Sequence, residues 1–417
     1  MTATTEPTAE PPTKRRSPLR HRNFRRLVTG TAASSLGNAI TPVALAFAVL
    51  DLGGSATQLG LVEAVFAACQ VVTTLAGGVL GDRVSRKLMM EGTAAISALV
   101  TGALAVTVIL GIATIPSIAV MGGLAGIVAA LNQPSAMAMT RVVVPDDELG
   151  AAVSLRSLLQ TTASTIGYAL GGVLVAAVGP GWAITVDALT FAIAAVAYAG
   201  MRVPHERPPH KASMLGDLAE GFREVMRHSW LWFLILQALL YHLFWSGAHS
   251  VLGPIVVGEG IGRASWGFAL AALMAGFFVG GLFCLKFRPR RLLSVGVFFL
   301  AMTGLFPISM ALSDTLWPIL LGAFLHGFGL QVFDIFWQIA IQQEIPEEKL
   351  SRVYSFDIVG SFIARPVGLA LVGPVAVAVG FEPWLLIVAA VISGSALMSI
   401  SFAGVRRLER APETEAA

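Results

Sequence analysis

The chain has 417 residues, of which 55% are hydrophobic and 13% charged, with a mean hydropathy of +0.76 and a formal net charge of +3. That leaves too little polar surface to clothe a water-soluble globule of this length, which excludes a soluble domain and directs the chain into lipid. Its apolar runs are about 20 residues or longer and do not alternate in polarity, so they read as helical spans and not as barrel strands.

Residues 1–13 are rich in Thr, Pro, Glu and Ala, the composition of a disordered tail. The basic cluster from Lys14 to Arg26 abuts the first apolar run and reads as an orientation signal, not a nucleic-acid arm. That run is too long for a signal peptide and is taken as a retained span. Cutting at charged or Gly/Pro-rich breaks predicts twelve spans: 24–50, 57–80, 89–111, 116–137, 151–178, 182–201, 230–257, 264–285, 292–312, 317–341, 353–379 and 383–404. The resulting organisation is a tail (1–23), a six-helix bundle (24–201), a linker (202–229), a second six-helix bundle (230–404) and a tail (405–417). Within the linker, Met214 to Met226 has the pattern of a short amphipathic helix lying on the membrane surface. The 43 glycines suit close helix packing in lipid. Cys69 and Cys284 fall in separate spans without metal-ligand spacing and are assigned to packing.

Of the 28 Lys and Arg, 25 lie in the tails and the even-to-odd connections, and the odd-to-even connections hold one, Arg263. The positive-inside rule therefore places both termini in the cytosol, with an even number of spans. The remaining two, Arg156 and Arg365, lie inside spans.

The chain nearly repeats itself after 201 residues. Pro145-Asp146-Asp147-Glu148-Leu149 leads through Ser154 to Gly167, Leu170 and Gly172, and Pro346-Glu347-Glu348-Lys349-Leu350 leads through Ser355 to Gly368, Leu371 and Gly373. Two like halves in one orientation are the layout of a rocking transporter with its site near the bilayer midplane.

Between spans 2 and 3 stands Gly78-Val79-Leu80-Gly81-Asp82-Arg83-Val84-Ser85-Arg86-Lys87. It resembles the G-x-L-[AG]-D-R-x-G-R-[RK] signature of the major facilitator superfamily, with Ser85 where glycine is usual. An acid at a membrane edge is stabilised by a nearby cation or a helix N-terminus, by up to about 1–2 kcal/mol when partly buried. Arg141 is the candidate cation for Asp82, and the start of span 11 near Tyr354 the candidate dipole. The resemblance implies an all-α fold of twelve transmembrane helices in two pseudo-symmetric halves, and a gate latch built from Gly78, Gly81, Asp82, Arg83, Arg86 and Arg141. The second half has Lys286, Arg288, Arg290 and Arg291 but no acid in register with Asp82, so the latch is expected on one half only.

Finer matches point to a branch. His21-Arg22-Asn23-Phe24-Arg25-Arg26-Leu27, Ser35-Leu36-Gly37, Gly53-Gly54-Ser55-Ala56 and Val186-Asp187-Ala188-Leu189-Thr190-Phe191 are similar to bacterial exporters that include enterobactin and macrolide efflux carriers. Members of that branch often carry an acid where this chain has Asn38. Gly167-Tyr168-Ala169-Leu170-Gly171-Gly172 keeps the glycines of the antiporter G-P-x-x-G-G pattern without its proline.

A charge at mid-bilayer costs about 2.5–3.5 kcal/mol, so depth sorts the ionisable residues. Asp51, Glu91 and Asp187 are counted near span ends, as wetted or capping groups, and Arg156 as a residue that snorkels to the cytosol. Glu63, His242, His249, His326, Asp334 and Arg365 lie deeper. Gln331, Asp334, Gln338 and Gln342 form one polar stripe on span 10. Two readings stay open for these charges: Arg365 neutralises Asp334 or Asp357 and fixes helix register, or Asp334 or Glu63 carries a proton with Arg365 biasing it. His242 and His249 share a face with Trp245, which suits cavity lining better than metal binding.

The resemblance makes spans 1, 4, 7 and 10 line the cavity. Asn38, Phe47, Asn132, Gln133, Tyr241, His242, Trp245, His249, His326, Gln331, Phe333, Trp337 and Gln338 are its candidate lining, suited to a bulky amphipathic substrate. No G-x-x-x-x-G-K-[ST] loop is present, so protons and not ATP are the expected driver, with no cofactor and no enzymatic activity. The expectation is a monomeric secondary transporter that exports a hydrophobic or amphipathic small molecule such as a drug, siderophore or natural product. Nutrient uptake by the same fold, or a membrane-embedded binding protein without turnover, are the alternatives.

Overall fold

The computed structural model describes residues 17–76, 85–203 and 214–409, and no strand occurs among them. The tail at 1–13 therefore lies outside the described residues. Twelve helices are long and apolar enough to cross a membrane: Arg22–Asp51, Ala56–Thr74, Arg86–Ile109, Ile115–Val143, Asp146–Val178, Pro180–Ala199, Ser229–Glu259, Arg263–Lys286, Leu292–Leu312, Leu316–Glu344, Glu347–Val379 and Phe381–Ser401, here spans 1 to 12. Each apolar run read from the sequence has its helix. Span 11 starts before the expected 353 because Glu347 and Glu348 sit in its first turn, where carboxylates favour the helix N-terminus. Large apolar side chains such as Leu99, Val196, Trp317 and Met398 are more than two-thirds exposed, as faces that meet lipid must be.

The 201-residue repeat is a repeat of packing. Gly167 in span 5 lets the Leu36 carbonyl of span 1 approach, and Gly368 in span 11 does the same for the Leu243 carbonyl of span 7. One turn further on, a Cβ at Gly172 would lie 2.8 Å from the Cα of Gly267 in span 8, and one at Gly373 would meet the Thr57 backbone of span 2. Glycine at these positions brings backbones into contact, the small-residue mode of helix association in lipid. The two halves thus cross at spans 5 and 8 and at spans 2 and 11, towards the end of the bundle away from the termini.

Three spans are irregular, each at a proline. In span 7 the α-helix Ser229–Gly247 passes into π-helical turns, Ala248–Leu252 and Pro254–Glu259. Span 9 tightens to a 3-10 turn at Met302–Gly304 just before Pro307. Span 11 breaks between Phe362 and Arg365, where Pro366 has no N–H to continue the ladder and crowds the carbonyl four residues back.

The linker helix, Met214–Arg227, buries Val225 and exposes Phe222 and Met226. Gly221 lets it approach the Arg352 carbonyl at the base of span 11, and Phe222 meets Phe356 at 5.5 Å between ring centroids. Glu224, buried, binds Lys349 at 2.8 Å and Arg227 at 3.0 Å. Lys349 stands 201 residues after Glu148 of the first half, which is buried, takes the Arg20 guanidinium and lies 3.0 Å from His21 Nε2.

Candidate functional site

The helix irregularities decide where the polar groups of the interior point. Pro307 lacks the N–H that would bond the Thr303 carbonyl, and that carbonyl instead receives His326 Nδ1 at 2.7 Å from span 10. With Nδ1 donating, Nε2 is the acceptor, and Tyr241 of span 7 donates its hydroxyl to it at 2.9 Å. Trp245, one turn on, stacks on His326 with ring centroids 4.0 Å apart. Spans 7, 9 and 10 are locked together by a neutral imidazole fully buried among aromatic rings. His249 follows on the π-helical turn, 5.2 Å from Trp245 and 5.7 Å from Trp266, with its Nδ1 buried and without a hydrogen-bond partner among the described residues. His242 takes another direction, bonding the Ala238 carbonyl at 2.8 Å and packing on Phe362 at 4.2 Å.

Arg365 pairs with neither Asp334 nor Asp357. Asp334 accepts from Gln338 at 2.7 Å on its own helix, and Asp357 accepts the Trp337 indole at 3.0 Å and Ser361 at 3.3 Å. Arg365 opens the helix Arg365–Val379 that follows the break in span 11. It lies within electrostatic reach of Glu63 in span 2 and Tyr168 in span 5, and of His242 and His249. Glu63 is buried and has no hydrogen bond among the described residues.

Around this point lies a cavity of about 200 Å³ lined by Tyr168, Trp245, His249, His326 and apolar residues of spans 8 and 10. A larger cleft, about 360 Å³, lies at the far ends of spans 1, 3 and 6 and has Asp51 as its one ionisable group. The smaller one carries the chemistry, because polar groups of both halves converge there.

Other expected lining residues go elsewhere. Asn132 donates to Thr93 of span 3 at 2.7 Å, tying neighbours within the first half. Trp337 packs edge-on to Trp230 at 5.6 Å, and Phe333 stacks on Trp337 at 6.1 Å. Phe47 is fully buried beneath Arg263 and against Gly258. Asn38 and Gln338 are exposed, while Gln331 faces span 8 at Gly280. The span 10 stripe is continuous through Gln342, which donates to the Tyr354 hydroxyl at 3.4 Å.

Two depth assignments are corrected. Asp187 is the eighth residue of its helix, about 10 Å from the end at 1.5 Å per residue, and it is buried, accepting from Thr41 and Thr190. Gly37 has no Cβ and so leaves room for this carboxyl. Ser35-Leu36-Gly37 and Val186 to Phe191 are therefore two sides of one contact. Arg156 does not snorkel; it turns onto the Ala136 carbonyl of span 4 at 2.6 Å. Asp51 and Glu91 stand at span ends as expected, Asp51 bound to Arg263 at 2.6 Å and Glu91 4.0 Å from Lys87. Arg263 also reaches Glu259 at 3.1 Å within its own half, and its pair with Asp51 clasps the two halves together.

Of the latch, Gly78, Gly81, Asp82 and Arg83 lie outside the described residues, as does the Gln133 side chain. Arg86 opens span 3, Arg141 is exposed in the last turn of span 4, and Ser85 caps span 3 by accepting from the Leu88 N–H at 3.4 Å. A serine is a good N-cap, which gives this departure from the family signature a local reason. No three His, Cys, Asp or Glu come together to hold a metal among the described residues.

The model of the Major Facilitator Superfamily matches residues 27–369. The chain belongs to this superfamily. Among relatives of this major facilitator protein, the multidrug efflux pump Tap of Mycobacterium tuberculosis is 25% identical over 402 residues, 93% of this chain and 95% of that one. Macrolide efflux protein A of Streptococcus pyogenes is 23% identical over 93% of this chain and 97% of its own length. An uncharacterized MFS-type transporter of Bacillus subtilis, YkuC, is 25% identical over 74% of this chain and 75% of that one. Among solved structures, nucleoside transporter NupG superposes with a TM-score of 0.71 at 12% identity, over 93% of this chain and 99% of that chain, a likeness of fold alone. The protein is a multi-pass membrane transporter.

Proposed function

We propose that this transporter exports hydrophobic or amphipathic small molecules in exchange for protons. In this reading the bundles at 24–201 and 230–404 rock about their crossing helices in a bacterial plasma membrane, as a monomer with both termini in the cytosol. The efflux relatives, the basic even-to-odd connections and the largely aromatic cavity support it. In that orientation the contacts at Gly172, Gly373 and Arg263 close the outer side, and the cavity is reached from the cytosol.

The observation that carries the coupling step is Glu63, buried without a hydrogen bond among the described residues and within electrostatic reach of Arg365 of the other half. A buried carboxyl without hydrogen-bond partners needs either a nearby cation or a proton. When the halves move and Arg365 withdraws, a proton takes the cation's place; when they return, the proton is released. Asp334, bonded to Gln338 on the open polar stripe, is better suited to meeting substrate.

The test is proton release from everted vesicles loaded with a pH probe, driven by a panel of lipophilic cations, macrolides and siderophores. Glu63→Gln is expected to lose at least about tenfold of substrate-driven release while still binding substrate, and Asp334→Asn to lose less. Undiminished release in Glu63→Gln would sink the assignment, and loss in Asp334→Asn alone would move coupling to span 10.

A further inference from the structure

The 200 Å³ cavity has a chemical character narrower than a general drug site. One wall is aromatic: Trp245 backed by His326, with Phe277 opposite among leucines of span 8. A cavity of about 150 Å³ holds one benzene ring, so this one takes a single ring or a fused pair. Two polar side chains from its lining concern the ligand: His249 of span 7, whose Nδ1 is buried without a hydrogen-bond partner among the described residues, and the half-buried Tyr168 of span 5. They come from opposite halves. A buried nitrogen left unpaired costs about 1–3 kcal/mol, so the His249 imidazole has a polar atom to gain, and the Tyr168 phenol lines the same cavity.

The charge of that atom follows from its surroundings. No carboxylate lines the cavity; Arg365 lies within electrostatic reach of both His249 and Tyr168, and Glu63 within reach of Tyr168, so the two opposite charges offset each other there. Aromatic faces attract cations by about 0.5–2 kcal/mol, but one face of Trp245 is already covered by His326, and a desolvated cation with no carboxylate in the lining, and with Arg365 offsetting Glu63, costs more than that attraction returns. An imidazole with one donor and one acceptor nitrogen, beside a phenol, is matched by a group that both donates and accepts.

We propose that this cavity is a binding subsite for the hydroxyl-bearing aromatic ring of an uncharged ligand, the ring lying against Trp245 and the hydroxyl bridging His249 and Tyr168. The proposal rests on the reading of the protein as a small-molecule carrier, and it names the part of the substrate that both halves grip. A ligand so held couples its own presence to the approach of the two halves.

Equilibrium binding tests it without any gradient, so that a failure of proton coupling leaves the result intact. Full-length protein in lipid nanodiscs is titrated with 2-naphthol, naphthalene and 1-naphthylmethylammonium, with empty nanodiscs subtracted for lipid partition. 2-Naphthol is expected to bind about tenfold more tightly than naphthalene, the worth of one well-made hydrogen bond, and more tightly than the ammonium. His249→Phe and Tyr168→Phe should each shrink the preference for 2-naphthol over naphthalene, and Leu270→Trp should fill the cavity and abolish saturable binding of both. Tighter binding of the ammonium than of 2-naphthol in the wild-type protein overturns the proposal, as does 2-naphthol binding that survives Leu270→Trp.

Discussion

Glu148 and Lys349 stand at equivalent places in the two halves, 201 residues apart, and carry opposite charges for one task. Each fastens the segment that leads into the first span of its own half. Glu148 holds Arg20 and His21 ahead of span 1, and Lys349 holds Glu224 of the linker helix ahead of span 7. Both acids in these pairs are buried, at 6% and 7% exposure, so both fastenings are partly shielded from water. The repeat has kept the position and inverted the chemistry. As a result each lead-in segment is repelled by the other half's fastening point, a specificity that attraction alone does not supply.

Reversing one charge breaks the comparison most strongly at Glu148. Glu148→Lys puts a buried lysine against Arg20 and His21, with an expected loss of about 2–3 kcal/mol in thermal unfolding of the detergent-solubilised protein. Arg20→Glu in the same chain should recover part of it, and no recovery would show that the pair does not act as a fastening. Lys349→Glu should cost less, about 1–2 kcal/mol, because Arg227 and His228 still face Glu224. Glu224→Gln should relieve the new repulsion in that variant.

The smallest effect is a dependence on pH in the second half. The hydrogen bond from Lys349 holds the Glu224 carboxyl below the ordinary glutamate range, against burial, with the charges of Lys349, Arg227 and His228 adding to it. A lowered carboxyl contributes stability that is complete above the ordinary value, about 4.3, and is lost as pH falls through the lowered one. Spin labels on the linker helix at Arg223 and on span 11 at Ile358 should therefore separate in acid and stay together at neutral pH. Lys349→Met should weaken that acid transition, and an unchanged transition would remove Lys349 from the account.

The twelve spans were legible because an apolar run of about 20 residues has few alternatives in lipid, and the repeated Pro-acid-acid turn marked where each half restarts. The site was legible in its membership more than in its pairings. Asp187 was misplaced because counting residues to a span end takes no account of Gly37, whose missing side chain opens a berth in span 1. Of the two readings left open for Arg365, pairing with Asp334 or Asp357 of its own half does not occur, since Pro366 follows it and the helix breaks there. A proline also leaves the carbonyl four residues back unbonded, which is the signal that joins Thr303 to His326 and goes unused if Pro307 is read only as a kink. Tyr168 was passed over inside a glycine-rich motif, although a tyrosine among small residues at a helix contact has a hydroxyl that must go somewhere.

The backbone contact of Gly172 with Gly267 has a mechanical consequence. Side chains that interdigitate must be withdrawn from one another before two helices can turn, and packed surfaces therefore hold discrete positions. Bare backbones carry no such teeth. In the proposed rocking of the two halves this crossing is a bearing, on which one half rolls without being unpacked, and the resistance that separates one state from the next falls to the lock beside it: Arg263 with Asp51, Glu259 and the Phe47 ring. Bearing and lock are different residues, so the ease of the motion and the stability of its end point can be altered one at a time.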